Sequence, residues 1–132
     1  MPPHRTQVQM RFGDTDAYGH VNNAAFAAYA EVARLDFTRC LGKAVRSLIL
    51  ASLSIDFRRQ LSYGESVYVD TWVERFGRTS ITLGQAVNGD NKLAADVRSV
   101  IVHYDYASGH ASELTSEMRD ALSPFTKSKV SA

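Results

Sequence analysis

Thr6, Val8, Met10 and Phe12 alternate with Gln7, Gln9 and Arg11, the period of two that marks a half-buried strand. Gly13 ends it, and the stretch 13–22 is rich in Gly, Asp and Asn, the chemistry of a loop. The period then lengthens. Phe26, Tyr29, Ala30, Ala33, Phe37 and Leu41 recur at helical spacing, with Asn22 or Asn23 suited to the N-cap and Gly42 to the stop. Six alanines between Ala24 and Ala33 raise helix propensity and keep this helix thin enough to lie close to a sheet. Glu31 and Arg34 are placed to pair on its surface.

Beyond Gly42 the period returns to two. Ile49, Ala51, Leu53, Ile55 and Phe57 form one apolar row; Val67, Val69, Thr71 and Val73 the next; Ile81, Leu83, Gln85 and Val87 a third. Turns are predicted at Ser62–Gly64, at Gly77 and at Asn88-Gly89-Asp90-Asn91, where Asn and Gly accept positive φ. A last long strand runs from about Lys92 to Tyr106. Its apolar parity shifts between Val97 and Val100, which predicts a bulge or strong twist. Ser108-Gly109 ends it, and a short helix from Thr115 or Ser116 to Leu122 is stopped by Pro124, leaving Thr126–Ala132 as a frayed tail. The order is strand, long helix, four strands. Without βαβ alternation, an antiparallel sheet curled around one central helix is the economical solution.

Composition narrows the function classes. The 132 residues suit one domain, 1–132, with its core at about 6–122. A net charge of +1 with no run of Lys or Arg argues against nucleic acid or a membrane surface as partner. The lone Cys40 has no partner for an internal disulfide, and the N-terminus has no apolar leader segment, so the expected location is cytoplasmic. Cys40 itself reads as a small buried apolar residue near a helix end.

The chemistry concentrates in Arg11–Arg34, where Asp14, Asp16, Gly19, His20, Asn22 and Asn23 lead straight into the helix. N–H groups of a first helical turn lack intrahelical partners and favour negative charge. Asp16 could cap a turn or serve as base or nucleophile. Asp14 reads as an acceptor of loop N–H groups. His20 could orient water or polarise a carbonyl, a supporting role in fixing the loop being favoured. Asn22 and Asn23 read first as caps, then as water or carbonyl ligands. A metal on Asp14, Asp16 and His20, joined by His103 or His110, has no close ligand spacing behind it, and no metal is expected. Arg58, Arg59 and Arg78, with Thr79 and Ser80 in a tight turn, either bind phosphate or are solvated strand-end groups. Tyr63, Trp72 and Phe76 line a pocket or, as strand aromatics do more often, pack the core.

The runs Phe12-Gly13-Asp14-Thr15-Asp16 and Gly19-His20-Val21-Asn22-Asn23, then Tyr29, Glu31, Ala33 and Arg34, resemble the hotdog-fold thioesterases of the 4-hydroxybenzoyl-CoA thioesterase class. Ile55-Asp56-Phe57-Arg58, Tyr63-Gly64-Glu65 and Gly77-Arg78-Thr79-Ser80 extend the resemblance over about residues 6–122. It implies an α+β hotdog fold, a curved antiparallel five-stranded sheet wrapped around a long central helix. It also implies acyl-CoA thioester hydrolysis, with Asp16 as general base or nucleophile and a backbone N–H near Asn23 as oxyanion donor. The phosphates of coenzyme A would fall to Arg58, Arg59, Arg78, Thr79 and Ser80, and no cofactor is needed beyond the coenzyme A of the substrate. The resemblance further places the site at an edge-to-edge dimer interface, in a homodimer or a homotetramer built as a dimer of dimers. A hotdog hydratase or dehydratase, and a non-catalytic acyl-CoA or acyl-carrier binding module, are the alternatives; the first would use a differently patterned acid/His segment.

Overall fold

The long helical period folds as α1, Asn23–Cys40, in the computed structural model, which describes residues 2–127. The Asn22 side chain accepts the Ala25 N–H at 3.0 Å, and Gly42, at φ 81°, takes the left-handed conformation past the last turn. Ala30, Ala33 and Phe37 are fully buried against the sheet, the small side chains allowing the close approach that the alanine run predicts.

The sheet is antiparallel, built from β1 (His4–Val8), β2 (Leu48–Phe57), β3 (Val67–Phe76), β4 (Ser80–Gly89) and β5 (Lys92–Asp105) in the order β1-β3-β4-β5-β2. A two-residue strand β6 (His110–Ala111) pairs with the end of β5, and α2 (Ser116–Leu122), capped by Thr115, closes one end of the core. This is the α+β helix-on-sheet arrangement that the order of periods predicts.

Two apolar clusters fill the space between α1 and the sheet. One gathers Val21, Phe26, Leu61, Val69 and Val97 toward the helix N-terminus, the other Phe37, Val73, Leu83, Ile101 and Met118 toward its C-terminus. A buried polar chain belongs to neither cluster. Gln85 Nε2 donates to the Ala30 carbonyl at 3.0 Å and to Thr71 Oγ1 at 3.2 Å, and Ser99 Oγ donates to Gln85 Oε1 at 3.4 Å. These bonds satisfy groups whose burial would otherwise be costly, and they fix α1 against the central strands.

Several expectations are corrected. The first strand stops at Val8, and Phe12–Asp14 forms a 3₁₀ turn with Phe12 exposed, because Asp14 turns back to accept the Arg11 N–H at 2.9 Å. From Ala95 onward β5 keeps one parity: Ala95, Val97, Ser99 and Ile101 are all buried, and the apparent shift between Val97 and Val100 arises because Ser99 is a buried polar residue. The irregularities lie elsewhere, on β2 between Leu50 and Ser52, on β3 between Val73 and Arg75, and on β5 at Ala94, which is skipped where Val87 and Asn88 pair with Ala95 and Leu93. The β4–β5 turn uses positive φ at Asp90 (49°) and Asn91 (66°), two residues beyond Asn88-Gly89. Gly89 remains in the strand, where a Cβ would stand 2.4 Å from Leu61 Cδ2. Arg34 is buried rather than paired on the surface with Glu31, and burial lowers the pKa of its guanidinium. Cys40 is exposed. The tail begins with anchored chain: Thr126 bridges to Val73, and the Lys127 N–H donates to the Val73 carbonyl at 2.8 Å. The rest of the expected frayed tail lies outside the described residues.

β2 departs most from its pattern. Both of its faces are largely open, and Leu50 and Phe57 are more than two-fifths exposed, so its alternation does not divide a buried face from a wet one.

Candidate active site

The loop 13–22 is a small, closed structure. Thr15 pairs with Val21, the Asp16 N–H donates to the His20 carbonyl at 2.7 Å, and the Asn22 N–H donates to the Asp14 carbonyl at 2.9 Å. Its outer side is bound to the segment after β2. The Val21 N–H donates to Leu61 O at 2.8 Å and the Tyr63 N–H to Gly19 O at 3.1 Å, while His20 bridges to Ser62. The tip residues 16–20 are thus held by backbone bonds on two sides.

The two acids divide. Asp14 Oδ2 accepts the Arg11 N–H at 2.9 Å and the Tyr29 hydroxyl at 2.8 Å. The Arg11 N–H, aided by Tyr29, holds the Asp14 carboxyl below the usual carboxylate range; burial, with the Asp14 bond added, pushes the Tyr29 phenol well above its ordinary value. Asp14 therefore ties the loop to α1. Asp16 is exposed, and its Oδ1 accepts the N–H groups of Tyr18 at 2.8 Å and His20 at 3.1 Å. Those two bonds orient the carboxylate and leave Oδ2 without a partner among the described residues.

Asp16 opens onto a cleft of about 410 Å³ that it shares with His20, Asn22, Asn23, Arg58 and Arg59, walled by Phe26 and Phe57. The two rings pack edge to face at 5.2 Å. The start of α1 forms the cleft floor. Ala25 gives its N–H to the Asn22 cap, leaving the first-turn N–H groups of Asn23 and Ala24 free of partners among the described residues. A carboxylate, free helix-end donors and an aromatic wall thus meet in one cleft.

The arginines separate. Arg59 forms a two-point ion pair with Glu65, Nη2 to Oε1 at 3.0 Å and Nη1 to Oε2 at 3.2 Å. It also donates to the carbonyls of Gly89 at 2.6 Å, Gln60 at 3.1 Å and Lys92 at 3.2 Å. Burial works against the Glu65 carboxylate, but Arg59 and the Ser62 N–H together keep its pKa below the ordinary value. Arg59 is consequently an internal clamp with little left for a phosphate. Arg58 gives only Nε, to Asp96 at 2.8 Å, and its two terminal nitrogens have no partner among the described residues. Arg78, Thr79 and Ser80 are not brought to this cleft. They turn the chain at the start of β4, while Arg59 grips Gly89 at its end, so about 30 Å of strand separates them. Arg78 pairs there with Glu113 at 3.2 Å.

None of the three aromatic candidates lines the cleft. Tyr63 is exposed and meets Phe12 edge to face at 5.6 Å; Trp72 lies beneath Lys127, 4.7 Å from its ring centre; Phe76 packs with the second apolar cluster. Phe26 and Phe57 supply the wall instead. Phe57 carried a signal, standing at the end of its strand one residue before the Arg58-Arg59 pair. Among the described residues the ligand atoms of Asp14, Asp16 and His20 do not gather within reach of one ion: Asp14 is turned to Arg11 and Tyr29, whereas Asp16 opens to the cleft.

The described residues include no helix long and apolar enough to cross a membrane. The family model of the thioesterase-like superfamily matches residues 10–122. The long-chain acyl-CoA thioesterase FadM of Escherichia coli (strain K12) is 24% identical, over 93% of this chain and 99% of its own. A thioesterase of Thermus thermophilus, solved with coenzyme A and Zn, is 28% identical and superposes with a TM-score of 0.86 over 94% of both chains. A predicted thioesterase from Bacillus stearothermophilus gives the same TM-score of 0.86 at 24% identity, over 94% of this chain and 96% of its own. With its helix-wrapping antiparallel sheet and a family match running from the first loop to α2, the chain belongs to the thioesterase-like superfamily, as a thioester hydrolase of the hotdog fold.

Proposed function

We propose that the thioester this chain hydrolyses is an acyl-CoA, releasing a free acid and coenzyme A, with Asp16 as general base or nucleophile. The observation that carries the reading is the shared cleft, where the Asp16 carboxylate stands at the mouth of α1 beside the free N–H groups of its first turn. The coenzyme A bound to the Thermus relative and the acyl-CoA named for FadM support the choice of substrate.

As general base, Asp16 accepts a proton from water while the water oxygen attacks the thioester carbonyl. The oxyanion is stabilised by the N–H near Asn23. Collapse breaks the C–S bond, and the thiolate leaves with the proton that Asp16 had taken. As nucleophile, Asp16 would instead displace the thiolate to form a mixed anhydride, which water then opens. ¹⁸O from labelled water entering the Asp16 side chain in a single turnover selects the second course. His20 acts in support: its backbone N–H holds the Asp16 carboxylate, and the residue borders the cleft. Asn22 supports the helix end as its cap, and Arg58 offers two free nitrogens to a coenzyme A phosphate.

A second copy of the chain completes this reading. β2 is an edge strand with both faces largely open, and Ile49, Leu50, Leu53 and Phe57 are exposed along it, as are Val32 and Leu35 on α1. Phe57 belongs to both that surface and the cleft. Joining two sheets through their β2 edges would cover the open strand and the cleft wall together, in a homodimer or a dimer of such dimers. Light scattering behind gel filtration gives the mass; a monomer at micromolar concentration refutes the pairing.

The catalytic test is thiol release from a panel of acyl-CoA substrates differing in acyl group, wild type beside Asp16→Asn. The wild type should turn over at least one substrate, and the variant should stay folded and lose roughly 10²–10⁴-fold in kcat. An inert wild type overturns the substrate class, and a fully active Asp16→Asn variant overturns the residue.

A further inference from the structure

Away from the cleft, where β1 crosses the C-terminal half of α1, three side chains from two distant parts of the sequence converge. His4 opens β1; Asp36 and Cys40 stand one turn apart on α1, a spacing that places them on the same helix face. His4 Nε2 lies 2.7 Å from Asp36 Oδ2 and 3.9 Å from Cys40 Sγ. The imidazole nitrogen, a carboxylate oxygen and the thiol sulfur all lie within 4.8 Å of one another. We propose that His4, Asp36 and Cys40 form a binding site for a divalent transition ion of the zinc type, with water in the fourth position.

The donor set fits that class of ion. One imidazole, one thiolate and one carboxylate are the ligands zinc takes, whereas calcium and magnesium prefer all-oxygen shells. Zn–N and Zn–O bonds of about 2.0–2.1 Å and Zn–S of about 2.3 Å in a tetrahedron put ligand atoms about 3.3–3.6 Å apart. The 2.7 Å and 3.9 Å separations straddle that range, so side-chain adjustments of under about 1 Å would admit the ion. The ligands are also fixed by neighbours, Thr6 bonding the same Asp36 Oδ2 that faces His4. Buried Thr6 donates its hydroxyl to Asp36 at 2.7 Å, and the His4 ring packs on Phe37 with ring centres 5.6 Å apart. Cys40 is exposed, leaving one side open to solvent for the ion and its water.

A thiol nucleophile relayed through His4 to Asp36 is the competing use of these residues, and the geometry opposes it. Such a relay needs the carboxylate on one ring nitrogen and the thiol on the other. Here both face Nε2, as they would around a shared ion. Bound there, the ion would tie the start of β1 to the end of α1, the two elements that flank the loop 13–22 in sequence.

The test uses the full chain, reduced and stripped of metal by chelator, titrated with Co²⁺ as a spectroscopic probe and then with Zn²⁺. The expected result is a thiolate-to-cobalt charge-transfer band that saturates at one equivalent and disappears as Zn²⁺ displaces the probe. Cys40→Ser should abolish the band, His4→Gln should abolish tight binding, and Thr6→Val should weaken binding by roughly 10–100-fold through the freed Asp36 carboxylate. Cys40→Ser and His4→Gln should keep wild-type thiol release from acyl-CoA, showing that the fold is intact. Absence of a saturable band in the wild type, or wild-type affinity retained by His4→Gln and Cys40→Ser, overturns the proposal.

Discussion

Replacing Arg59 by Ala separates two roles that its sequence position leaves open. If Arg59 is a phosphate ligand, its loss raises KM and leaves the fold alone. The structure makes it a clamp: a two-point bond to Glu65 and further bonds to the carbonyls of Gln60, Gly89 and Lys92. The pair is only partly shielded, with side-chain exposures of 30% for Arg59 and 15% for Glu65. Breaking a fully buried pair by removing one partner costs about 3–5 kcal/mol, whereas exposed pairs are worth at most about 1 kcal/mol. An intermediate cost of about 2–3 kcal/mol follows, since Glu65 keeps the Ser62 N–H but three carbonyls lose a donor.

An unfolding entropy of about 2.1 cal/mol/K per residue gives roughly 0.28 kcal/mol/K over the chain, so the melting temperature should fall by about 7–11 °C. Differential scanning calorimetry measures this directly. Thiol-release kinetics, run well below the melting range, supply the contrast with Arg58→Ala, which should raise KM with little thermal effect. A melting temperature within about 2 °C of wild type for Arg59→Ala, together with a raised KM, refutes the clamp.

Further expectations concern the loop, the core and acid stability. Tyr29→Phe removes the hydroxyl that anchors Asp14 to α1 and should cost about 1–2 kcal/mol in urea unfolding; an unchanged midpoint contradicts that anchoring role. Gln85→Leu should cost about 2–4 kcal/mol by orphaning buried groups, yet the triple change Thr71→Val, Gln85→Leu, Ser99→Ala should cost less than the single one. Simple additivity in the same unfolding experiment would show that the three do not act as a network. Asp14, Asp36 and Glu65 have lowered pKa values in the folded chain, so they bind protons more readily when unfolded. Their stabilisation is complete above the ordinary carboxylate range and lost as pH falls through the depressed folded values. Melting temperature should therefore drop below about pH 4, with a shallower drop in Asp14→Asn; parallel pH curves for the two proteins would exclude Asp14 as a contributor.

The fold was legible because its periods are clean. The 3.6-residue row from Phe26 to Leu41 and the period-two rows after it specify which faces meet, and those rows are buried on β3 and β4. The misreadings fall where polarity and burial part company. Ser99 is polar and buried, so it looks like a break in parity when it is the partner of Gln85. Arg34 is charged and buried, so it looks like a surface residue. β2 alternates as if one face were covered, although among the described residues little covers either. A hydropathy row reports that a face is to be buried and says nothing about which molecule buries it.

The site was legible only as far as it is local. Asp14, Asp16, His20, Asn22 and Asn23 lie within ten residues, so their loop chemistry and the helix cap could be read in place. Arg58 and Arg59 could not be told apart, because adjacent residues of one type are distinguished only by partners brought from elsewhere. Asp96 stands 38 residues beyond Arg58, and the Gly89 carbonyl 30 beyond Arg59. The same limit governs His4, Asp36 and Cys40. Their i,i+4 half is visible on the helix, but the imidazole that gives the pair a chemical meaning arrives 32 residues away through the pairing of β1 with β3. Convergence of that kind is a property of topology, and it becomes visible only when the strands have been ordered.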